Sequence, residues 1–434
     1  VSEGFYPSGK FRAWSVVTLC TIAYMLSFVD RQILSLLVGP IRHDLQISDT
    51  QFGLLSGLAF ALFYATIGLP IAGMADRSSR PRIIAIGIAM WSLATVTCGL
   101  SRSFVQLFLS RIAVGAGEAA LSPATYSLIA DLFPRERLGR ALSVYALGVL
   151  LGSGMAFLLG GAVIAAISRA SDYQVAGLSF APWQITFMIV GAPGVLLAGV
   201  IALCIRDPRS AMRTREPAPP WRDIRSVMRR NKRIYLPLML GFPMAAMGLF
   251  GILGWMPAYL MRQFGMGPQQ VGYWLGAIAI LCGGGGNLAC GWMMDRLAAR
   301  GIYDAPFRVS MVGAAGLALS ITAVPFVTRF GPSIVLIAIA FFFASFPVSP
   351  SSAVMQIATP PLMRSRVSAV FLMCNSFIGL AFSSFLIGWL NDVMFAGRGL
   401  GFAMALVVAG AAVAAMCILH FGRAAFAARI AEEP

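Results

Sequence analysis

SPATYSLIADLFPRERLGRALSV, residues 122–144, returns as SPSSAVMQIATPPLMRSRVSAV at residues 349–370. Ser122/Ser349, Pro123/Pro350, Pro134/Pro361 and Arg137/Arg364 match at an offset of 227, and AGMADR (72–77) echoes GWMMDR (291–296) at an offset of 219. So long a period marks two related halves rather than a stack of short repeats.

The sequence around these copies is apolar. Of 434 residues, 58% are hydrophobic and 12% charged, with a mean hydropathy of +0.80; soluble domains carry roughly one quarter charged residues. Apolar runs of helical length span about 14–39, 50–75, 83–101, 104–130, 139–167, 183–205, 234–261, 270–294, 307–328, 332–358, 366–391 and 399–421. At 1.5 Å per residue most can cross roughly 30 Å of hydrocarbon. The expectation is an all-α membrane protein of twelve transmembrane helices, in two six-helix halves at 1–205 and 234–434. A parallel repeat of this kind places a substrate cavity between its halves. The first run holds Asp30 and Arg31 and no small-x-small cleavage site, so it reads as a retained helix rather than a signal peptide.

Residues 206–233, RDPRSAMRTREPAPPWRDIRSVMRRNKR, form the longest and most basic break. Trp221, Ile224, Val227 and Met228 keep helical spacing among its arginines, which predicts an amphipathic helix on an anionic leaflet. The formal charge of +16 invites a nucleic-acid reading, but Lys and Arg are scattered over short polar breaks rather than one face. No nucleic-acid partner is expected. With the N-terminus inside, 25 of the 33 basic residues fall in cytoplasmic segments and 6 in the opposite loops. The positive-inside rule then sets both termini in the cytoplasm.

Four ionisable residues lie deep in apolar helices: Asp30 and Arg31 in the first, Arg111 and Glu118 in the fourth. Burying such groups unpaired costs several kcal/mol, so each is a functional candidate. Arg111 and Glu118 are two turns apart and share a face. Asp30 and Arg111 sit at similar depth, roughly 10–14 Å from the outer end, close enough in depth to pair. Glu118 lies near mid-membrane, where a carboxylate is a candidate proton carrier.

The loop after the second helix resembles the signature of the major facilitator superfamily, a G-x-x-x-D-R-x-G-R pattern. Asp76, Arg77, Arg80 and Arg82 fit it, whereas Ala72 and Ser79 stand where the glycines belong; in the second half Gly291, Asp295, Arg296 and Arg300 fit better. A carboxylate at a helix end can pair with an arginine of a neighbouring loop, here Arg137 or Arg140, and latch the cytoplasmic side. Residues 27–77 and 109–145 resemble the Spinster branch of that superfamily, a likeness strongest over about residues 24–160. The resemblance implies the major facilitator fold and secondary transport of sphingosine-1-phosphate-like lysolipids. It also implies a proton-sensing centre of Asp30, Arg31 and Glu118 with Arg111 nearby. The fifth helix carries Gly148, Gly152 and Gly154 but not the proline of antiporter members.

Arg31 or Arg111 can face an anionic head group, and Asn287 and Asn375 are candidate cavity donors. Phe341, Phe342, Phe343 and Phe346, and the run Gly283–Gly286, read as packing elements. The seven cysteines form no CxxC and read as small hydrophobes. The two histidines, His43 and His420, have no ligand company and no nucleophile motif stands out, so neither an enzyme nor a metal site is expected. No cofactor is expected beyond protons as coupling ion. The reading is a monomeric, proton-coupled carrier of an amphipathic small molecule, in contact with membrane lipids and housed in a bacterial inner membrane. The alternatives are an exporter of drugs or organic anions and a passive lipid scramblase.

Overall fold

The computed structural model describes residues 10–75, 78–133, 135–167, 173–175, 178–207, 220–360 and 363–432. Among them are twelve helices long and apolar enough to cross a membrane. They are α1 (Phe11–Leu36), α2 (Asp49–Gly68), α3 (Arg80–Leu100), α4 (Phe104–Leu132), α5 (Arg140–Ile167), α6 (Pro182–Cys204), α7 (Lys232–Phe264), α8 (Pro268–Ala298), α9 (Ala305–Phe326), α10 (Phe330–Ala358), α11 (Arg366–Val393) and α12 (Leu400–Ala431). A short hairpin, β1 (Tyr173–Val175) with β2 (Leu178–Phe180), precedes α6. The last helix runs ten residues past its expected end at 421. Its alanine-rich continuation is a good helix former, and Phe426 is fully buried against Phe307.

The helices form two compact units. The first comprises residues 1–46, 59–216 and 267–276, and the second 47–58, 217–266 and 277–434. The boundary falls inside the basic linker, and two short segments, the start of α2 and the start of α8, cluster with the other half's helices. Small residues explain both. In the second unit, a Cβ on Gly53 would strike the Ser384 carbonyl, and one on Gly57 would sit 3.0 Å from the Ala381 carbonyl oxygen of α11. In the first, Gly272 stands in the same relation to the Phe157 carbonyl, and Gly276 to that of Gly154 on α5, at 2.9 Å. Gly53 to Gly272 and Gly57 to Gly276 are offsets of 219; Phe157 to Ser384 and Gly154 to Ala381 are offsets of 227. The two seams are therefore repeat equivalents, each built by a small-xxx-small pair that admits a backbone.

The linker helix, Trp221–Arg230, corrects one expectation. Ile224 is buried in the core of the second unit beside Ile234, Tyr235 and Phe426, with Val227 and Met228 packed against the same cluster. Its apolar stripe is used against protein instead of lipid, because the adjoining ends of α7 and α12 offer an apolar surface. Trp221 stays exposed, with the Arg366 guanidinium 5.2 Å from its ring centre.

Phe341 and Phe346 are buried, as packing elements should be. The glycine run does not break α8: Gly286 lies against the Phe342 carbonyl, and a π-helical turn occupies residues 279–283 just before it. A longer π stretch covers 375–382 in α11. Such widened turns free a backbone carbonyl and recur at functional sites.

Candidate functional site

In the first unit, α1 and α4 bring together the four membrane-embedded charges. Arg31 donates through Nε to Glu118 Oε2 at 2.7 Å, and a second guanidinium nitrogen reaches the same oxygen. The Glu118 side chain is fully buried and that of Arg31 is 15% exposed. The helical ladder of α4 relaxes into a turn at Ala119 and Ala120, so Glu118 closes the first half of the helix. Three aromatic rings collar Arg31, with centres 4.9 Å (Phe28), 4.4 Å (Phe60) and 5.1 Å (Tyr64) from the guanidinium carbon. Phe60 and Tyr64 come from one face of α2, and Gly115 of α4 admits the Phe60 backbone. Cation–π attraction in a desolvated site is worth roughly 2 kcal/mol. Arg31 is thus held by both a carboxylate and ring faces.

The Asp30–Arg111 side-chain pair that depth allows does not form. Arg111 is buried and donates from Nη1 to the Asp30 backbone carbonyl at 3.3 Å, while Asp30 Oδ1 is buried without a hydrogen bond. The reason is reach: the guanidinium meets the main chain of α1 before it meets the carboxylate. Glu118 Oε1 and Arg111 Nε are likewise buried and unbonded. This cluster is charged and only partly satisfied.

Of the residues read as a cytoplasmic gate, Asp76 and Arg77 lie outside the described residues. Arg137 and Arg140 are exposed, and Arg140 lies 5.8 Å from the Trp14 ring centre. In the second unit Asp295 and Arg296 are exposed, with Arg296 5.2 Å from the Trp292 ring centre. Among the described residues of the first loop, Arg80 is the buried charge. It donates from Nη1 to Asp131 at 2.6 Å and to the Ser127 carbonyl at 2.8 Å, and from Nη2 to Asp207, whose other oxygen accepts the Arg80 backbone N–H at 2.8 Å. One arginine thereby ties the start of α3 to the ends of α4 and α6. Asp131 and Asp207 were missed in sequence, although acids at helix ends beside a basic loop are a legible signal.

Asn287 is half-buried and accepts a hydrogen bond from Ser349 Oγ at 2.7 Å, and Asn375 is half-buried at the first residue of the long π stretch. Both belong to the second unit; Arg31 and Arg111 belong to the first.

The second unit also holds an ionic cluster the sequence reading passed over. Arg262 at the end of α7 grips Asp49 with two bonds of 2.7 Å, and Asn391 Nδ2 adds a third at 2.6 Å. Asp392 accepts from Thr50 N at 2.7 Å and Thr50 Oγ1 at 2.6 Å, capping the first turn of α2. The Asp49 side chain is fully buried. Its signal was the capping box Ser48-x-x-Gln51, which the structure forms in full.

Comparison with known proteins fits this architecture. The family model described as Major Facilitator Superfamily matches residues 20–383. An MFS-type efflux pump of Mycolicibacterium smegmatis is 31% identical over 92% of this chain and 90% of its own length. Protein spinster homolog 1 of Bos taurus is 30% identical over 59% of this chain and 47% of its own. Among solved structures, a bacterial homologue of the human lysosomal transporter Spinster, in an inward-facing and unoccupied conformation, superposes with a TM-score of 0.79. It is 25% identical, and the alignment covers 97% of each chain. A D-xylose–proton symporter, 16% identical with a TM-score of 0.69, shares the fold. Twelve apolar helices, their repeat and these likenesses converge: the chain belongs to the Major Facilitator Superfamily, as a Spinster-like transporter and not an enzyme.

Proposed function

We propose that this transporter carries a small amphipathic, lysolipid-like molecule by alternating access, coupled to protons taken up and released at Asp30 and Glu118. The observation that carries the reading is the buried Arg31–Glu118 pair inside its aromatic collar. A cation among ring faces suits an anionic head group joined to an apolar chain. Protonation of Glu118 weakens its hold on Arg31 and frees the guanidinium for substrate, so proton and substrate compete for one cation. Arg111, bonded to the α1 backbone, biases Asp30 in the same cluster.

The likeness to a solved bacterial homologue of the Spinster transporter supports small-molecule transport, and the lysolipid class is what the Spinster resemblance of the sequence implies. The efflux-pump relative supports a second reading, export of drugs or organic anions through the same carboxylates. The placement of basic residues supports cytoplasmic termini, and the short loops fit a bacterial inner membrane; the reading is of a monomer, latched by the loops that hold Asp76, Arg77, Arg137, Arg140, Asp295 and Arg296. In liposomes containing purified protein, fluorescent lysolipid and an organic anion are offered with and without an imposed pH gradient. Gradient-dependent lysolipid movement that Glu118→Gln makes indifferent to the gradient supports the first reading. Lysolipid movement at the rate of empty liposomes, with gradient-driven organic-anion flux, replaces it with the second.

A further inference from the structure

The linker helix hides its apolar stripe in the second unit and leaves its opposite face uncovered. Arg222, Arg225 and Arg229 follow one another at spacings of three and four, so they line one side of the helix, and all three are exposed. Arg230, Lys232 and Arg233, also exposed, carry the positive charge on to the start of α7. The helix holds a single acid, Asp223, in its first turn.

Both ends of this helix are pinned at the level where membrane spans begin. At its start the Trp221 ring lies against the guanidinium of Arg366, the first residue of the α11 span. At its end one non-helical residue, Asn231, separates it from Lys232, the first residue of the α7 span. Between them Ile224 packs into one cluster with Ile234 and Tyr235 of the first turn of α7. A helix tied at both ends to that level lies along the membrane surface instead of projecting away from it. Lys232, Leu236 and Leu240 stand about one turn apart on the exposed side of α7, and the change from lysine to leucine marks where head groups give way to hydrocarbon. The arginine face therefore sits beside the phosphate layer, with the exposed Trp221 at its edge, a residue type that favours this interface. A guanidinium pairs with a phosphate through two parallel hydrogen bonds, and a basic cluster beside a membrane span gathers anionic lipid.

We propose that the arginine face of the linker helix binds the head groups of anionic phospholipids, with Arg222, Arg225 and Arg229 as its contacts. Through Ile224 and the cluster around it, such binding fastens the adjoining ends of α7, α10, α11 and α12 to one leaflet. It requires neither the substrate nor the proton coupling proposed above.

The test is native mass spectrometry of the delipidated full chain, titrated with phosphatidylglycerol or phosphatidylcholine to give the dissociation constant of the first bound lipid. Each arginine is expected to contribute about fivefold, so replacing Arg222, Arg225 and Arg229 together by glutamine weakens phosphatidylglycerol binding on the order of a hundredfold and leaves phosphatidylcholine unchanged. Lysine at the same three positions keeps the charge and restores most of the affinity. A charge-matched variant with Arg102, Arg329 and Arg398, exposed in other loops, replaced by glutamine is expected to bind like the wild type. An equal loss in that variant would show that net charge alone matters and overturn the proposal. An unchanged phosphatidylglycerol constant in the linker variant would also overturn it, leaving the face to a soluble acidic partner. If the triple variant does not fold, Arg225→Gln and Arg229→Gln decide singly, each with its expected fivefold loss.

Discussion

Two buried ionic clusters, one in each unit, use similar residues to opposite ends. At Asp49 the carboxylate is met by two arginine nitrogens and an asparagine amide, and the neighbouring Asp392 caps the helix that carries it. At Asp30 and Glu118 a carboxylate oxygen of each is left without a bond, and one arginine spends a donor on a backbone carbonyl. A carboxylate met on both oxygens by charged and amide donors is fixed in place by strong bonds. On the reading proposed above, the partly bonded cluster in hydrocarbon is the one that exchanges a proton. The first cluster holds its helices together; the second is the one proposed to respond.

This contrast is broken most sharply in the second unit. Arg262→Ala strands the Asp49 carboxylate where it is fully buried, and removing one partner of such a pair costs about 3–5 kcal/mol. The expected outcome is a large fall in melting temperature in detergent, partly restored by adding Asp49→Asn. In the first unit Glu118→Gln is expected to lower the melting temperature far less, since an amide oxygen still accepts from Arg31, while removing pH dependence from transport. A large loss of stability there would make the cluster structural. The smallest effect belongs to the contact between α8 and α10: Asn287→Ala removes one hydrogen bond from Ser349, worth about 1 kcal/mol, and is expected to shift melting slightly with no change in pH response.

Much of the fold was legible because hydrophobic length and the 219 and 227 offsets are properties of the chain itself. The same offsets also encoded the paired seams, Gly53/Gly57 against α11 and Gly272/Gly276 against α5, but two glycines four apart say nothing of their partner until helices are packed. For the site, four charges in apolar helices stood out on cost alone, and the structure brings all four together. Their pairing was not legible: depth suggested Asp30 with Arg111, whereas rotation about each helix axis puts Arg31 on Glu118. Arg262 passed as a loop charge because its partner Asp49 is 213 residues away. Ile224 was read toward lipid since an apolar stripe looks the same whichever surface covers it.

The central claim is that protons act on the α1–α4 cluster to shift the balance between the two access states. The direct measurement is the distance between spin labels placed on the two six-helix halves, recorded in nanodiscs from acid to alkaline pH, for the wild type and for Asp30→Asn with Glu118→Gln. The account predicts a pH-dependent redistribution of distances in the wild type that is absent from the double variant. An equal pH response in both proteins would contradict it.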